Sequence, residues 1–471
     1  MDGERSHPGR WGTEAQRTHW REGETGHNVL LGGKTGETLS SQTVSTKLQR
    51  IAEQARRNPD RVFTTLAHHM DVDFLREAYR RTSKSSGAGV DGVTAEQYAE
   101  KLETNLEGLH ERLRGGSYRA PPVERVWLAK EDGSRRPIGK PAFEDKIVQR
   151  AVVMLLEAIY EQDFYDFSHG FRRGRSPHRA LKELRQQCVG KKIGWIVDAD
   201  ISSFFDSINR SWLRKYLQLR VNDGSILRLI GKWLNAGVMD KGLWSHSETG
   251  TPQGGVVSPI LANIFLHYVL DEWFVKVVRP RMKGRCFLLR FADDFVIGCS
   301  LESDARRIMA VLPKRFGRFG LSIHPEKSKL ISFGKPPREE SRGEGGRGTF
   351  DFLGFTHYWA RSRQGYWVIK RKTASKRQRR AQKALWEWCR RNRHGPIPAQ
   401  HHQLCQKLRG HFQYYYIRGN SQCVAEVRHY VVKAWHYWLN RRHQRRSLTW
   451  ARYERLLLAL PLPQPERVCW I

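Results

Sequence analysis

The sequence predicts an α+β protein in which a region of mixed strands and helices, residues 123–360, is followed by a basic helical region, residues 361–446. Three observations favour this order. Short apolar runs bounded by turn residues alternate with longer periodic stretches in the first region. The second region holds 22 Lys or Arg and two acids, yet its apolar residues keep helical spacing between Val424 and Trp438. With 471 residues, 39% of them hydrophobic, the chain can form several domains.

The charge of the chain indicates a polyanionic partner. Lys and Arg number 82 against 48 Asp and Glu, which gives a formal charge of +34 and a pI near 10.2. Nucleic acid is the partner that such a balance most often serves. No apolar run is long enough for a membrane span, and no signal-peptide core opens the chain, so we expect a cytoplasmic protein. The seven scattered cysteines lack zinc-ligand spacing and are expected to be reduced.

The N-terminal part is predicted to be a leader followed by helices. Residues 1–45 are rich in polar and glycine residues without periodicity and are predicted to form a flexible leader. Residues 46–122 are predicted to be an N-terminal extension, helical from Lys47 to Arg81 and again after Thr94, which can cap a helix. The glycine-rich loop 83–92 lacks the lysine and spacing of a phosphate-binding loop, and is therefore a weak functional signal.

The mixed region begins with a hairpin and two helices. Residues 123–141 alternate and contain a Glu-Asp-Gly turn, which predicts a β-hairpin. The apolar stretch Asp145–Glu161 predicts a long buried helix. A basic loop then leads into a helix that can begin at Ser176-Pro177, because serine caps helices and proline suits their first turn.

Two later segments carry acids at the ends of apolar strands. The run 195–197 predicts a buried strand that delivers Asp198 and Asp200 at its end. Residues 286–298 predict a tight hairpin with Asp293 and Asp294 at its tip. Between them, residues 250–274 combine a glycine-rich turn with an apolar helix.

Asp200, Asp293 and Asp294 can meet across a sheet and form a metal site. A hard divalent cation such as Mg²⁺ relieves the repulsion between carboxylates and prefers their oxygens. Two such ions ~3.5–4 Å apart can stabilise both the attacking and the leaving oxygen of a phosphoryl transfer. A solvated Asp-Asp turn is the simpler interpretation for an isolated pair. The apolar flanks and the second acid-bearing strand favour the metal site.

Ten blocks in consistent order, from about residue 72 to residue 440, resemble the reverse transcriptases encoded by group II introns, often called maturases. The blocks are GVDGVT, RRPIGKP, DKIVQRAV, SHGFRRGRSPHRAL, DADISSFFDSI, GTPQGGVVSPILANIFL, FADD, GLSIHPEKSKL, FDFLGF and LRGHFQYYYIRGN. The resemblance implies a right-hand polymerase fold: fingers and palm with an antiparallel palm sheet at 123–360, an α-helical thumb or maturase domain at 361–446, and a short tail at 447–471.

The resemblance also implies roles for residues around the acids. Asp200, Asp293 and Asp294 match the metal-binding triad of two Mg²⁺ ions, with the main-chain oxygen of Ile201 as a further ligand. Phe205 matches the aromatic that blocks a ribose 2′-hydroxyl and so favours deoxynucleotides. An ordinary core phenylalanine is the alternative.

Further residues match positions that bind the nucleotide. Lys130 and Arg136 flank the predicted hairpin turn where the family grips the triphosphate, and a lysine point charge and an arginine fork both suit phosphate. Gln253 matches a residue that lines the nucleotide pocket. Lys327 matches a lysine that could donate a proton to pyrophosphate. Solvated surface charge remains the alternative for the basic residues.

A third group matches nucleic-acid contacts. Three arginines of the basic loop could bind template phosphates, the FDFLGF hairpin resembles the primer support, and aromatic residues beside arginines could stack on RNA bases. Solvated or core positions are the alternatives. The residues are Arg172, Arg173, Arg175, Gly354, Arg409, Tyr414, Tyr415 and Arg418.

The function implied is that of an RNA-directed DNA polymerase that uses dNTPs on an RNA template with a DNA primer. The resemblance also implies binding of the parent group II intron RNA to assist splicing, and contact with target DNA in the bacterial cytosol and nucleoid. The oligomeric state stays open. Alternatives are a splicing factor without polymerase activity, a reverse transcriptase of a retron, CRISPR or diversity-generating system, and an RNA-dependent RNA polymerase.

Two departures qualify the resemblance. Phe291 stands where the commonest tip sequence has tyrosine, which leaves both acids intact. The last residues of the sequence lack the histidines and paired cysteines of an HNH-type endonuclease that many bacterial relatives carry. We therefore expect DNA synthesis to be primed from an existing end.

Overall fold

The computed structural model describes residues 35–129, 135–240, 243–245, 250, 254–337, 348–442 and 448–465. For residues 35–40, 129, 136 and 243–245 it describes only the backbone. The described chain is α+β, as predicted.

Fifteen α-helices lie in the described part of the chain. In order, α1 to α15 are Thr35–Arg57, Val72–Arg81, Ala95–Glu100, Leu102–Arg114, Phe143–Tyr160, Pro177–Gly190, Phe204–Ser207, Arg210–Gln218, Gly224–Asn235, Ser258–Leu266, Glu302–Gly317, Ser375–Asn392, Ile397–Tyr415, Ser421–Leu439 and Trp450–Ala459. Helix α10 continues through two π-helical turns, His267–Asp271 and Phe274–Val278.

Thirteen strands lie in the same described ranges. In order, β1 to β13 are Val123–Ala129, Arg135–Lys140, Trp195–Ala199, Ile201–Ser202, Val238–Asp240, Leu243–Ser245, Cys286–Phe291, Asp294–Cys299, Ser322–Ile323, Lys329–Ser332, Phe350–Phe352, Phe355–Arg361 and Trp367–Thr373.

A four-stranded antiparallel sheet, here called the central sheet, has the order β10-β3-β8-β7. Strands β7 and β8 form the predicted hairpin, in which Phe291 pairs with Asp294 across a two-residue turn. Strand β3 lies beside β8, with Ala199 opposite Phe295. Every residue of β7 except Phe291 is buried, as expected for a strand covered on both faces.

Helix α5 is the centre of the largest core. Fourteen of its 18 residues are buried, which confirms the predicted buried helix and explains its apolar composition on every face. Helices α1 and α2 pack against it on one side and α10 on another. The N-terminal sheet, with the order β2-β1-β5-β6, contains the predicted hairpin β1–β2.

A second core joins the central sheet to a three-stranded sheet, here called the hairpin sheet, with the order β11-β12-β13. Helix α6 contributes to the same core and begins as predicted, because the Ser176 side chain accepts a hydrogen bond from the Arg179 N–H and Pro177 lies in the first turn. The core holds Phe333, Phe350, Phe352 and Phe355 in contact.

A third core lies among helices α12 to α15, here called the C-terminal helical region. Val424, Val427, Val431 and Trp435 are fully buried along one face of α14, which confirms the predicted stripe. The indole of Trp435 donates to Gln400 and packs edge-on against Tyr453.

Three predicted boundaries are wrong. Residues 35–45 belong to helix α1 and not to a leader, because the fully buried Val44 joins an apolar stripe that continues through Ile51 and Ala55. The helical region begins at Ser375 and not at residue 361, since β12 and β13 pair across that position. Residues 447–471 are not merely a tail: helix α15 buries Tyr453 in the third core.

Among the described helices, none combines the length and the apolar composition needed to cross a membrane.

Candidate active site

The three acids of the predicted triad lie at one end of the central sheet. Ala199 pairs with Phe295, so the next residues along the two strands, Asp200 and Asp294, lie at the same end of this strand pair. Asp293 lies in the β7–β8 turn, next to Ala292, whose φ of +57° is unusual for a residue with a side chain. The structure therefore brings together acids that lie 93 residues apart in the sequence.

Arg290, which is fully buried, holds the β7–β8 turn in place through hydrogen bonds. Its Nη1 donates to the main-chain oxygen of Ala292 at 2.9 Å and to Asn263 Oδ1 at 2.9 Å. Its Nε and Nη2 donate to the two carboxylate oxygens of Asp271, at 2.8 and 2.5 Å. A buried arginine thus ties the turn to the helical stretch that follows α10.

The SHGF segment, residues 168–171, also contacts the β7–β8 turn. The His169 N–H donates to the main-chain oxygen of Arg290 at 2.8 Å, and Asn263 Nδ2 donates to the Gly170 oxygen at 2.7 Å. A Cβ at Gly170 would lie 2.1 Å from the Ala292 nitrogen, so only glycine fits here. These contacts explain why this motif accompanies the acidic turn in the sequence.

The carboxylates repel one another strongly. Crowding by surrounding protein, followed by the charges of Asp198, Asp293 and Asp200, raises the pKa of Asp294 to about 8. Burial, then Asp351 and Asp200, raise the pKa of Asp198 to about 7. Asp294 nevertheless remains exposed to water.

This donor set suits a hard divalent cation, because an ion bound here would relieve the repulsion that raises both pKa values. In the conformation described, Lys327 supplies the positive charge: its Nζ lies 3.1 Å from Asp200 Oδ2. Within the described residues, no three acidic, histidine or cysteine side chains already converge on one point with the geometry of a bound ion.

Phe205 lies in the short helix α7, which follows β4. Gly250, at the start of the second glycine-rich segment, packs against it. A Cβ at Gly250 would lie 2.8 Å from the main-chain oxygen of Phe205, and the Gly250 N–H donates to the Ile208 oxygen. Ser203, with φ of +43°, bends the chain into α7. In the same segment, a Cβ at Gly254 would lie 2.3 Å from the Gly139 oxygen on β2. Gly250 thus packs against the segment that contains Phe205, and Gly254 packs against the N-terminal hairpin.

Several predicted nucleotide contacts cannot be placed. Lys130 and Gln253 lie outside the described residues, and only the backbone of Arg136, paired with Leu128, is described. Ile201 is described: it is buried and pairs with Ile323, directly after Asp200.

The prediction that Arg172 contacts template phosphate is wrong. Its guanidinium is buried and donates to Glu161 and to the main-chain oxygens of Tyr165 and Ser168, which leaves little capacity for a ligand. Arg175 donates to Asp166 at 2.5 Å. Arg173, in contrast, is exposed.

The hairpin sheet brings a further turn to the acids. Strand β11 contacts β8, and Leu353 and Gly354 form a two-residue turn with φ values of +49° and +77°. The backbone of Leu353 opposes the rise in the pKa of Asp294, so this turn lies beside that acid. Asp351 lies on β11 and contributes charge near Asp198.

Tyr414 and Tyr415, which were predicted to stack on RNA bases, pack on a protein ring in the conformation described. Both rings pack against Phe355, with centroids 5.8 and 5.3 Å away, and the Tyr414 hydroxyl donates to the Leu353 oxygen at 2.9 Å. Arg409 and Arg418 are exposed, as a nucleic-acid contact requires.

The sequence interpretation missed the roles of Arg290 and Asp351 and left Asp198 out of the site. For Arg290 a signal was present: one arginine interrupts the apolar strand CFLLRF, and a charge inside such a strand must have a buried partner. For Asp351 there was no comparable signal, since alternation alone does not tell which edge of a sheet faces another sheet.

Comparisons with known proteins agree with this arrangement. Residues 128–357 match the family model described as reverse transcriptase (RNA-dependent DNA polymerase). Protein YkfC of Escherichia coli (strain K12) is 37% identical over 324 residues, which cover 61% of this chain and 84% of that protein. Group II intron-encoded protein LtrA of Lactococcus lactis subsp. cremoris is 38% identical over 232 residues, 49% of this chain and 38% of LtrA.

A similar but more distant match is the putative COX1/OXI3 intron 1 protein of Saccharomyces cerevisiae, 26% identical over 362 residues, which cover 66% of this chain and 43% of that protein. The chain thus spans less than half the length of these two intron-encoded relatives. The matched family region contains all three acids and the hairpin that carries two of them, and the identity to YkfC extends over most of that protein. The chain therefore belongs to the reverse transcriptase family of RNA-dependent DNA polymerases, and within it is similar to proteins encoded by group II introns.

Proposed function

We propose that this chain copies RNA into DNA at the carboxylate cluster and binds a group II intron RNA to assist its splicing and mobility. The observation that carries the proposal is the convergence of Asp200, Asp293 and Asp294 at one end of the central sheet, within the region that matches the polymerase family. The resemblance to an intron-encoded protein supports the choice of RNA partner.

In this proposal Asp200, Asp293 and Asp294 hold two Mg²⁺ ions, with the main-chain oxygen of Ile201 as a further ligand. When bound, the ions activate the primer 3′-hydroxyl and neutralise charge on the leaving pyrophosphate. The protein contributes the position of the ligands: Arg290 holds the turn that carries Asp293, and the Leu353 turn lies beside Asp294. Lys327, paired with Asp200 in the structure, would donate a proton to pyrophosphate.

The nucleotide would enter between helix α7, which contains Phe205, the glycine-rich segment that begins at Gly250, and the N-terminal hairpin β1–β2. Phe205 would then exclude a ribose 2′-hydroxyl, Gln253 would line the pocket, and Lys130 and Arg136 would bind the triphosphate. The packing of Gly250 against Phe205 and of Gly254 against β2 supports a common pocket for these elements.

The central sheet corresponds, in this proposal, to a palm, the N-terminal sheet to fingers and the C-terminal helical region to a thumb with maturase function. The excess of basic residues over acids after residue 361 supports contact with a primer–template duplex and with intron RNA. Contact with target DNA follows from the same chemistry, because phosphates dominate such binding.

Primer extension on an RNA template tests the polymerase assignment. The native chain with Mg²⁺ and dNTPs should extend a DNA primer, and Asp293→Ala should abolish extension. Asp60→Ala, which removes an exposed carboxylate in a loop, is the matched control and should retain activity. No extension by the native chain, together with tight binding of intron RNA, would instead support a splicing factor without polymerase activity.

Substitution of Phe205 tests the sugar gate separately. Phe205→Ala should increase incorporation of ribonucleotides relative to deoxynucleotides, because a smaller side chain leaves room for the 2′-hydroxyl. Phe204→Ala is the comparison: Phe204 is buried in the core, so its loss should lower stability without changing sugar selectivity. Unchanged selectivity in Phe205→Ala would remove this residue from the pocket.

A further inference from the structure

Both central residues of the turn between β11 and β12 have positive φ, as two-residue hairpin turns commonly require, but leucine is an unusual residue for such a position. Gly354 adopts this conformation without cost, but Leu353 has a side chain that disfavours it. Phe352 and Phe355, which flank the turn, pair with each other and are buried. Surrounding contacts must therefore hold Leu353 in place.

Leu353 lies between an acid of the central sheet and a helix. The turn lies beside Asp294, because β11 contacts β8, which begins at that residue, and the Leu353 backbone acts on its carboxylate. The carbonyl oxygen of Leu353 accepts a hydrogen bond from the Tyr414 hydroxyl at 2.9 Å. Tyr414 and Asp294 are close enough to interact electrostatically. One residue in a strained turn thus links a phenol on helix α13 with an acid of the central sheet.

Tyr414 is itself fixed by several elements. Its ring stacks on Phe355, with centroids 5.8 Å apart, and meets the ring of Tyr415 edge-on at 4.8 Å. Its main-chain oxygen lies 2.8 Å from Nε2 of His178, in the first turn of α6. Helices α6 and α13 and the hairpin sheet therefore meet at this side chain.

We propose that Tyr414 is a positioning residue for the metal site: by holding the Leu353 carbonyl, it fixes the turn that lies beside Asp294. The inference deepens the proposed function, on which it rests. It implies that docking of the C-terminal helical region on the hairpin sheet strengthens metal binding at Asp294.

The alternative is that Tyr414 only stabilises the interface between the helices and the hairpin sheet. A stabilising residue would change the melting temperature and the fraction of active molecules, but not the metal affinity of those that are folded. A positioning residue would change the metal affinity of folded molecules. The two roles are therefore separable by a binding measurement on folded protein.

Tyr414→Phe is the informative variant, because it removes the hydroxyl and keeps the ring packing. Tyr453→Phe is the matched control: the Tyr453 hydroxyl also donates to a main-chain oxygen, that of Val432, at 2.9 Å, inside the C-terminal helical region. Both variants lose one tyrosine-to-carbonyl hydrogen bond, but only Tyr414 adjoins the acids. A difference in Mn²⁺ affinity between the two variants therefore measures the effect of a hydroxyl close to the acids.

Binding of Mn²⁺, followed by electron paramagnetic resonance, is the direct readout and needs no catalysis. Tyr414→Phe should weaken Mn²⁺ binding by about three- to tenfold, the range expected for one neutral hydrogen bond. Tyr453→Phe should bind Mn²⁺ as the native chain does. In primer extension, Tyr414→Phe should need a correspondingly higher Mg²⁺ concentration for half-maximal rate, with an unchanged KM for the RNA–DNA duplex.

Native Mn²⁺ affinity in folded Tyr414→Phe would overturn the proposal, as would an equal loss in Tyr453→Phe. The proposed function fails in a different way: the native chain would then show no extension, whatever its Mn²⁺ affinity. Asp294→Asn is the reference for loss of a metal ligand. It removes a proposed ligand and should therefore weaken Mn²⁺ binding more than Tyr414→Phe does.

Discussion

Arg290 and Asp271 form an ion pair in which both side chains are fully buried, and both oxygens of the carboxylate are bonded to the guanidinium. Removal of two charges from water is costly, and such a pair seldom adds net stability. The position of this ion pair suggests another reason for its presence. The same guanidinium also donates a hydrogen bond to the main-chain oxygen of Ala292, in the turn that carries Asp293.

Replacement of one partner should therefore be much worse than replacement of both. Arg290→Met should lower the free energy of unfolding by about 3–5 kcal/mol, because it leaves Asp271 buried without its counter-charge. The double variant Arg290→Met/Asp271→Leu should recover much of that stability. It should not recover primer extension, because the turn before Asp293 still lacks its donor.

Urea unfolding and single-turnover extension on the same preparations would test this prediction. Recovery of both stability and activity in the double variant would mean that Arg290 has no role in positioning the turn.

Mg²⁺ should stabilise the native chain by relieving repulsion within the carboxylate cluster. Asp294→Asn removes one of the repelling charges, so at a pH above 8 and without metal its melting temperature should be equal to or above that of the native chain. Its melting temperature should rise less on addition of Mg²⁺. Differential scanning fluorimetry with Mg²⁺ and with EDTA would measure both effects, and Asp60→Asn should respond to Mg²⁺ as the native chain does.

His357 should make the stability depend on pH. It is fully buried on β12, stacked on Phe350 with ring centroids 4.9 Å apart, and burial, followed by the charge of Arg371, lowers its pKa to about 3. Between about pH 3 and 6.5 the unfolded chain binds a proton that the folded chain does not. This contribution to stability is therefore present above pH 6.5 and is lost as the pH falls, by up to about 1.4 kcal/mol per pH unit.

His357→Phe should reduce this slope, because the phenyl ring keeps the stacking but cannot be protonated. Urea midpoints measured from pH 7 down to pH 4 would show the change, and the exposed His394→Gln should retain the native slope. An unchanged slope in His357→Phe would assign the acid sensitivity to other groups.

Binding of an RNA–DNA duplex should weaken steeply with salt, because each neutralised phosphate releases counterions. Arg409→Gln and Arg418→Gln, both at exposed positions of the C-terminal helical region, should each reduce the slope of log K against log salt by about one. Arg306→Gln is the control, since Arg306 is paired with Glu302 on α11. Fluorescence anisotropy at several salt concentrations would separate these cases, and a flat response of the native chain would contradict nucleic-acid binding through phosphates.

Local patterns in the sequence predicted the central hairpin, the β1–β2 hairpin, helix α5 and the cap of α6. Each depends on residues that lie close together in the chain, so periodicity and turn chemistry are sufficient. The proximity of Asp200 to the distant acidic turn was also predicted, because apolar segments flank the turn and a second apolar strand carries an acid at its end.

Contacts between distant elements could not be predicted in the same way. The basic composition after residue 361 predicted helix, but charge does not determine backbone pairing, and β13 carries Arg371 in a buried strand position. Arg172 was expected to face nucleic acid because it lies in a basic loop, whereas its donors are used by Glu161 and nearby carbonyls. Tyr414 was interpreted from its arginine neighbours, and not from the turn that it meets in space.

The pairing of β12 with β13 across residue 361 determines where the chain can be divided. A cut at the charge boundary, between residues 360 and 361, would separate six paired positions and the Ala374–Gly354 hydrogen bond. A cut after Ala374 would keep the hairpin sheet whole and leave α12 to α15 as a second piece, joined to the first partly through Tyr414. Two such pieces, produced separately, offer a complementation assay in which polymerase activity would report their reassembly.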